Sequence, residues 1–167
     1  MGIKSHVLCR LEDFHVDHYC EPGEFPTIEE QDRFIQFGVV AGKQAFKDAG
    51  LENSSFPADE TGVVYASAIG GTATSTKMFD RLTDRGQKPI SYKPVGPTFY
   101  NAGMFNYPAT LLARRYGFGG PVTSLSTGCT AGLDALGLSF EMIQRGDARI
   151  MLAGASEAPL TPMMYAL

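Results

Sequence analysis

Apolar residues recur at helical spacing in four parts of the chain and form short continuous runs in three others. Apolar positions three or four residues apart indicate the buried face of a helix, whereas short β-branched runs bounded by glycine or proline indicate buried strands. The sequence therefore predicts helices over residues 27–49, 75–85, 106–116 and 129–145. It predicts a buried strand followed by a glycine loop within residues 61–71, strands over 119–127 and 148–156, and an extended loop over 88–100.

The first and last of these helices carry further signals. Thr27 is followed three residues later by Glu30, which is the capping-box spacing at a helix start, and Gly50 is typical of a helix end. The last helix is apolar on nearly all sides, so we expect it to be buried within the layers of the fold. Its apolar residues are Leu133, Leu136, Leu138, Phe140, Met142 and Ile143.

The last three elements form a strand-helix-strand unit with a tight turn at Gly146 and Asp147. Parallel strands need a crossover connection of this kind, and the crossover is usually a helix. The sequence therefore predicts an α/β fold with a central, mostly parallel sheet flanked by helices.

Composition and charge exclude several classes of protein. The 167 residues are 44% hydrophobic with a net charge of -4, which fits one globular domain and lacks the basic stripe of a nucleic-acid binder. There is no apolar window of about 18 residues, so we expect neither a membrane partner nor a signal peptide. Cys9, Cys20 and Cys129 are an odd number at unrelated spacings, which favours a reduced, cytoplasmic setting.

The stretch LSTGCTAGLDALG places Cys129 between a predicted strand and a predicted helix. At a helix start, unpaired N–H groups and the positive end of the helix dipole favour a thiolate, and these groups can also bind an oxyanion. Gly128, Ala131 and Gly132 leave room for an acyl thioester. Free cysteine also commonly fills small apolar spaces, so a nucleophile and a core residue both remain open on the pattern alone.

Two segments, VTSLSTGCTAGLDALG and GDARIMLAGASEAPLTPMMYA, resemble the nucleophile region of the β-ketoacyl synthases, most closely the ketosynthase α subunits of type II polyketide synthases. Two earlier segments agree in order. DRFIQFGVVAGKQAFKDAGL is similar to the family's first long helix, and GVVYASAIGG is similar to the strand and glycine loop that follow it. The resemblance implies a thiolase-like fold, in which two α/β halves pack together, and a dimer.

The resemblance implies that Cys129 accepts an acyl chain from an acyl carrier protein, with its own N–H in the oxyanion hole. The acyl group would then condense with a malonyl unit that loses carbon dioxide. No cofactor is implied for the chain itself, because the phosphopantetheine arm belongs to the carrier protein. The implied subunit partner is a second copy or a chain-length-factor-like subunit.

Two alternative functions remain open at this point. A type II fatty-acid condensing enzyme shares the same chemistry and differs in its partner and chain length. A non-catalytic ketosynthase-like subunit would keep the fold without the reaction. Chain-length factors have another residue in the cysteine position, so the presence of Cys129 favours the catalytic type.

The chain departs from the family in its extent. In the family, two histidines and a lysine that support decarboxylation follow the cysteine in the second half, whereas this sequence ends at Leu167. His6, His15 and His18 precede the cysteine and match no family motif. We therefore expect residues 1–167 to be a partial N-terminal β-ketoacyl synthase domain that lacks the first strand and the C-terminal half, which another chain would supply.

The resemblance also assigns roles to residues away from the cysteine. Thr98 and Phe99, in PTFYN, match the neighbourhood that lines the family's acyl pocket, although an aromatic packed at an interface explains them equally well. The segment PVTSLS resembles the strand that pairs across the family's two-fold axis. We expect Glu157 to be a hydrogen-bonded structural carboxylate.

Other chemistry-bearing patterns match their site types poorly. Zinc-ligand residue types lie near the start of the chain without the tight spacing of zinc sites, so we assign no metal. These residues are Cys9, His15, His18 and Cys20. The segment AIGGTAT lacks the Lys-Ser/Thr ending of a phosphate-binding loop.

Overall fold

The computed structural model of the protein describes residues 10–90 and 95–165. The helices are α1 (Arg33–Asp48), α2 (Thr72–Thr83), α3 (Pro97–Gly103), α4 (Tyr107–Tyr116), α5 (Ala131–Arg145) and α6 (Pro162–Tyr165). The strands are β1 (Thr61–Ala66), β2 (Val122–Leu125) and β3 (Ile150–Ala155). Short 3-10 turns cover Val16–His18, Ile28–Glu30, Ala58–Glu60 and Gly128–Thr130. Across the described ranges, every helix is too short or too polar to cross a membrane.

Within the described residues, the strands form one parallel sheet in the order β2-β1-β3. Val63 in β1 lies opposite Val122 on one side and Leu152 on the other. All of β1 is buried, whereas the two edge strands are only partly covered. The prediction of a mostly parallel α/β sheet is confirmed, and β1 separates the two strands of the predicted strand-helix-strand unit.

The two faces of the sheet are covered by different sets of side chains. Val63 and Tyr65 of β1 join a core of aromatic and aliphatic residues from α1, α4 and the segment before α1. Val64 and Ala66 point to the opposite face, because successive side chains of a strand alternate. There they meet the small buried residues of α5, which are Ala131 and Ala135.

The start of α1 differs from the prediction that Thr27 caps it. Thr27 has a left-handed φ of 57° and precedes a separate 3-10 turn. The helix begins after Asp32, whose carboxylate accepts a hydrogen bond from the Phe34 N–H at 3.1 Å. The Gln36 side-chain amide keeps the turn apart from the helix by donating to three carbonyls, those of Ile28, Glu29 and Gln31.

Other boundaries also shift in ways that local geometry explains. The strand predicted within 61–71 ends at Ala66 and the predicted loop follows it, whereas the strands predicted over 119–127 and 148–156 are shorter at both ends. The helix predicted over 75–85 begins earlier, at Thr72, and ends with Asp84 in a left-handed conformation before Gly86. The loop predicted over 88–100 is wrong at its end, because Pro97 occupies the first turn of α3. Residues 91–94 of that loop lie outside the described residues.

The expected burial of α5 is present on the side that faces the sheet. Its buried residues are Ala131, Ala135 and Ser139, which face the sheet. Four large apolar side chains on the other side are exposed, and we refer to them as the apolar face of α5: Leu133, Leu136, Phe140 and Ile143. Apolar periodicity indicates that a helix face is suited to burial, but it does not say which element covers that face.

Candidate active site

The carboxyl ends of the three parallel strands meet at one end of the sheet. The Ser67 N–H donates to the Leu125 carbonyl at 3.2 Å, and the Ser156 N–H donates to the Ala66 carbonyl at 3.3 Å. The loops that follow the strands therefore leave the sheet side by side. In open α/β sheets, ligands bind outside this end of the strands.

Cys129 lies in the 3-10 turn that follows β2 and leads directly into α5. The helix itself begins at Ala131, two residues after Cys129, so the predicted helix start at residue 129 is two residues too early. Gly128 has a left-handed φ of 76°, a conformation that favours glycine. The Cys129 side chain is exposed, so among the described residues it does not fill a small space in the core.

Asp134, in the first turn of α5, accepts hydrogen bonds from residues on both sides of the cysteine. The hydroxyls of Thr127 and Thr130 donate to its Oδ2, the second at 3.0 Å. Asp134 follows Thr130 by four residues, a spacing that brings side chains together at the start of a helix. The sequence analysis missed this contact, which the spacing of Thr130 and Asp134 could have indicated.

The backbone N–H groups at the start of α5 follow Cys129 closely in the chain. The Ala131 N–H donates to the Gly128 carbonyl. In the part of the chain that the structure describes, Thr130 makes no side-chain hydrogen bond that caps the helix. The first N–H groups of a helix lack partners within the helix and can stabilise negative charge. An exposed thiol next to such groups is suited to nucleophilic attack on a carbonyl that becomes an oxyanion.

Glu157, two residues after β3, binds the loop that follows β1. Its Oε1 accepts the Ser67 hydroxyl at 2.7 Å, the Ala68 N–H, and the Ile69 N–H at 3.4 Å. Its Oε2 is buried and has no hydrogen-bond partner among the described residues. The expectation of a hydrogen-bonded carboxylate at this position is confirmed.

Tyr65 and Ser156 connect β1, β3 and α1 beneath these loops. The Tyr65 hydroxyl, the Ser156 hydroxyl and the Phe34 carbonyl lie within hydrogen-bond distance of one another, so the two hydroxyl protons serve three contacts. Burial raises the pKa of Tyr65 well above its ordinary value, against the smaller opposite effect of the Ser156 hydrogen bond. Tyr65 therefore stays protonated and serves as a donor within the scaffold.

Thr98 and Phe99 lie on α3 and are both half-buried. The contacts that hold this helix come from elsewhere in the fold. The Gly71 N–H donates to the Ala102 carbonyl at 3.0 Å, and the Asn101 amide donates to Gln31 at 3.0 Å. The assignment of Thr98 and Phe99 to an acyl pocket stays a prediction.

The candidate zinc residues are held by other interactions. The rings of His15 and His18 lie 5.3 Å apart, and Cys20 is buried in the core. Burial raises the pKa of the Cys20 thiol, although Lys43 partly opposes the shift. Cys9 and His6 lie outside the described residues. Within residues 10–90 and 95–165, no group of three or more potential ligand side chains converges on a metal position.

A groove of about 810 Å³ lies between the segment before α1, α2 and the residues that follow β3. Phe37 and Leu160 give it apolar walls, and Arg33 and Lys77 add positive charge. Glu157 lines the groove, but Cys129 does not. We therefore base the candidate site on the chemistry at the strand ends and not on this groove.

Comparison with known proteins agrees with this geometry. Residues 3–167 match the family described as Beta-ketoacyl synthase, N-terminal domain. A Streptomyces cyaneus protein named as a polyketide beta-ketoacyl synthase 1 is 32% identical over 166 residues, which are 99% of this chain and 39% of that protein. The 3-oxoacyl-[acyl-carrier-protein] synthase 2 of Staphylococcus aureus is 32% identical over 161 residues, which are 96% of this chain and 38% of that protein.

A solved structure is similar in both sequence and fold. It is a type II PKS acyl-carrier protein in complex with its ketosynthase bound to the hexaketide, with a TM-score of 0.76 and 37% identity. The match covers 84% of this chain and 35% of the solved chain. This chain thus spans about two fifths of the length of the curated relatives it matches. From the matched family and the shared fold, the chain belongs to the β-ketoacyl synthases, within their N-terminal domain.

Proposed function

We propose that this chain is the cysteine-bearing part of a β-ketoacyl synthase of the ketosynthase α type, acting as an acyltransferase in polyketide biosynthesis. One observation carries the proposal: the exposed Cys129 lies in the turn between a parallel strand and the start of a helix whose small side chains face the sheet. That position presents a nucleophile next to the first N–H groups of a helix. The relative from Streptomyces is named for polyketide synthesis, which fits this proposal.

The first step is transfer of an acyl group to the cysteine. The Cys129 thiolate attacks the carbonyl carbon of an acyl thioester on a carrier protein, and a new carbon–sulfur bond forms. The N–H of Cys129 and those at the start of α5 stabilise the oxyanion. The oxyanion then collapses, the bond to the carrier sulfur breaks, and the carrier sulfur leaves as a thiolate.

The second step is condensation with a malonyl unit on the carrier protein. The carbon–carbon bond to the carboxylate breaks, carbon dioxide leaves, and the resulting enolate carbon attacks the acyl–Cys129 carbonyl. The bond to Cys129 then breaks and restores its thiolate, so that the β-ketoacyl product remains on the carrier. We propose that residues of a C-terminal half, supplied by another chain or by a longer form of this one, support the decarboxylation.

The proposed partners follow from the same chemistry. An acyl carrier protein brings the substrate on its phosphopantetheine arm, so this chain needs no cofactor of its own. We propose that a C-terminal half covers the apolar face of α5. A second copy, or a chain-length-factor-like subunit, pairs along the edge strand β2, with Thr98 and Phe99 near the acyl pocket. We place the reaction in the cytoplasm, where free cysteines stay reduced.

Fatty-acid condensation is a second candidate function. The Staphylococcus aureus 3-oxoacyl-[acyl-carrier-protein] synthase 2 is as similar to this chain as the Streptomyces cyaneus protein, at 32% identity each. The two functions use the same cysteine and differ in the carrier protein and in the length of the acyl chain. Acyl transfer from polyketide and from fatty-acid carrier proteins, measured side by side, separates them.

Mass spectrometry after incubation with an acyl carrier protein thioester tests the proposal. We expect one acyl group on the peptide that contains Cys129. The adduct should be absent in Cys129→Ala and unchanged in Cys20→Ala, which is the matched control because Cys20 is buried. With malonyl carrier added, the chain alone should release no condensation product. A Cys129 that takes no acyl group and resists alkylating reagents would instead support a non-catalytic subunit.

A further inference from the structure

A series of contacts connects Glu157 with the turn that carries Cys129. The Glu157 carboxylate binds the loop over residues 67–70 through the Ala68 N–H and two neighbouring donors. The carbonyl of the same Ala68 accepts a hydrogen bond from the Ser126 hydroxyl at 3.1 Å. Ser126 follows β2 and lies three residues before Cys129. The backbone of Ala68, after β1, is therefore held through its N–H by Glu157 and through its carbonyl by Ser126 of the nucleophile turn.

The loop after β1 depends on Glu157 for its conformation. The Ser67 hydroxyl donates to Glu157 and accepts the Gly70 N–H at 2.9 Å. The Ser67 side chain therefore connects Glu157 with the far end of the loop. Gly70 itself has a left-handed φ of 56°. All three donors from the loop converge on a single oxygen of Glu157, while its Oε2 is buried without a partner in the described part of the chain. Removing the carboxylate leaves these donors unpaired, which is costly in a partly buried site.

We propose that Glu157 is a positioning residue that holds the Cys129 turn in its reactive geometry through the backbone N–H and carbonyl of Ala68 and through Ser126. The inference deepens the proposed function and rests on it for its catalytic meaning. Glu157 itself does not contact the reacting atoms. Glu157 fixes the loop after β1 by binding three of its donors, so the Ala68 carbonyl keeps one position. Ser126 binds that carbonyl and thereby holds the turn that carries the Cys129 thiol.

A double-mutant cycle on the full 167-residue chain tests the proposal. The first readout is the rate at which iodoacetamide alkylates Cys129, followed by peptide mass spectrometry, because it needs no carrier protein. We expect Glu157→Ala to slow this reaction by about fivefold, within the range that residues coupling two positions produce. Ser126→Ala should slow it similarly. In the Ser126→Ala background, Glu157→Ala should add less than about twofold, because both act through one path.

Two further variants separate positioning from a loss of folding. Glu157→Gln keeps a side-chain oxygen that can accept the loop hydrogen bonds, and its amide takes the place of the unpartnered oxygen, so we expect a rate close to that of the unmodified chain. Glu60→Ala is the matched control, because Glu60 is an exposed carboxylate at the opposite end of the same sheet. The melting temperature of each variant shows that it is folded.

Each outcome decides the proposal. It is supported by a slow Glu157→Ala variant, rescue in Glu157→Gln, and effects that do not add. It is overturned if Glu157→Ala reacts at the rate of Glu60→Ala, if Glu157→Gln is as slow as Glu157→Ala, or if the effects of Glu157→Ala and Ser126→Ala multiply. Acyl transfer from a carrier thioester is measured separately, where we expect Glu157→Ala to lose about tenfold. If even the unmodified chain accepts no acyl group while the alkylation cycle holds, the proposed function fails and the positioning role stands.

Discussion

The Glu24 carboxylate is buried between two positively charged side chains, those of Lys43 and Arg115. Its side chain is 6% exposed, and its oxygens lie 2.6 Å from Lys43 Nζ and 3.5 Å from Arg115 Nε. Burial alone would raise the pKa of this carboxyl, but the hydrogen bond from Lys43, the Glu21 N–H and both charges hold it below its ordinary value. The ionised carboxylate therefore stabilises the fold above the unfolded-state pKa of about 4.3. That contribution is lost as the pH falls through the lower folded-state pKa.

Glu24→Gln is expected to lower the free energy of unfolding by about 2 kcal/mol near neutral pH. It should also flatten the decline in stability between about pH 5 and pH 3. Urea unfolding at a series of pH values measures both effects. Asp147→Asn is the control, because the Asp147–Arg145 pair is exposed and such pairs contribute little. A Glu24→Gln variant with the same acid dependence as the unmodified chain would contradict the argument.

The position of Cys129 could be predicted from the sequence, but its surroundings could not. A strand end, a glycine and a helix start are local features, and together they indicated the turn that holds the thiol. The contacts of Ser126 and Glu157 with Ala68 join residues 58 and 89 positions apart. No local pattern encodes such contacts, since they depend on how the strands are ordered in the sheet.

At the level of elements, Asp32 connects the starts of two helices. One oxygen of its carboxylate accepts the Phe34 N–H of α1 at 3.1 Å, and the other accepts the Thr74 N–H of α2 at 3.0 Å. We expect Asp32→Ala to cost about 2 kcal/mol of unfolding free energy, the upper part of the range for helix caps. Thermal and urea unfolding measure this cost.

Thr27→Ala is the matched control for the Asp32 variant. Thr27 accepts one hydrogen bond from the Gln31 amide and does not cap α1. Its replacement should therefore cost no more than about 0.5 kcal/mol. A Thr27→Ala variant less stable than Asp32→Ala would restore Thr27 as the determinant of this helix start.

The helix ends that the sequence predicted correctly are those marked by a glycine directly after the helix. Gly117 and Gly146 end α4 and α5 in left-handed conformations, as glycines after helices commonly do. The capping-box spacing at Thr27 predicted the wrong helix start, because hydrogen bonds from the Gln36 side chain hold residues 28–31 in a separate turn. The helix α3 was missed, because a segment rich in proline can form a loop or begin a helix with Pro97.

At the scale of the whole molecule, the class of fold follows from the alternation of strands and helices. The sheet order β2-β1-β3 does not, because it depends on which strand is buried on both faces. β1 takes the central place because Val63 and Tyr65 face one core while Val64 and Ala66 face the other. The apolar character of α5 predicted burial, but within the described residues the sheet covers only its side with small residues.

The apolar face of α5 should therefore contribute little to the stability of this chain. Phe140 is 61% exposed on that face, whereas Phe46 is 4% exposed in the core. We expect Phe140→Ala to change the free energy of unfolding by less than about 0.5 kcal/mol, and Phe46→Ala to cost about 3 to 5 kcal/mol. Urea unfolding compares the two, and binding of a hydrophobic dye should fall in Phe140→Ala because exposed apolar surface is lost. Equal destabilisation by both changes would mean that the chain already covers this face, and the proposal that a C-terminal half covers it would lose its physical basis.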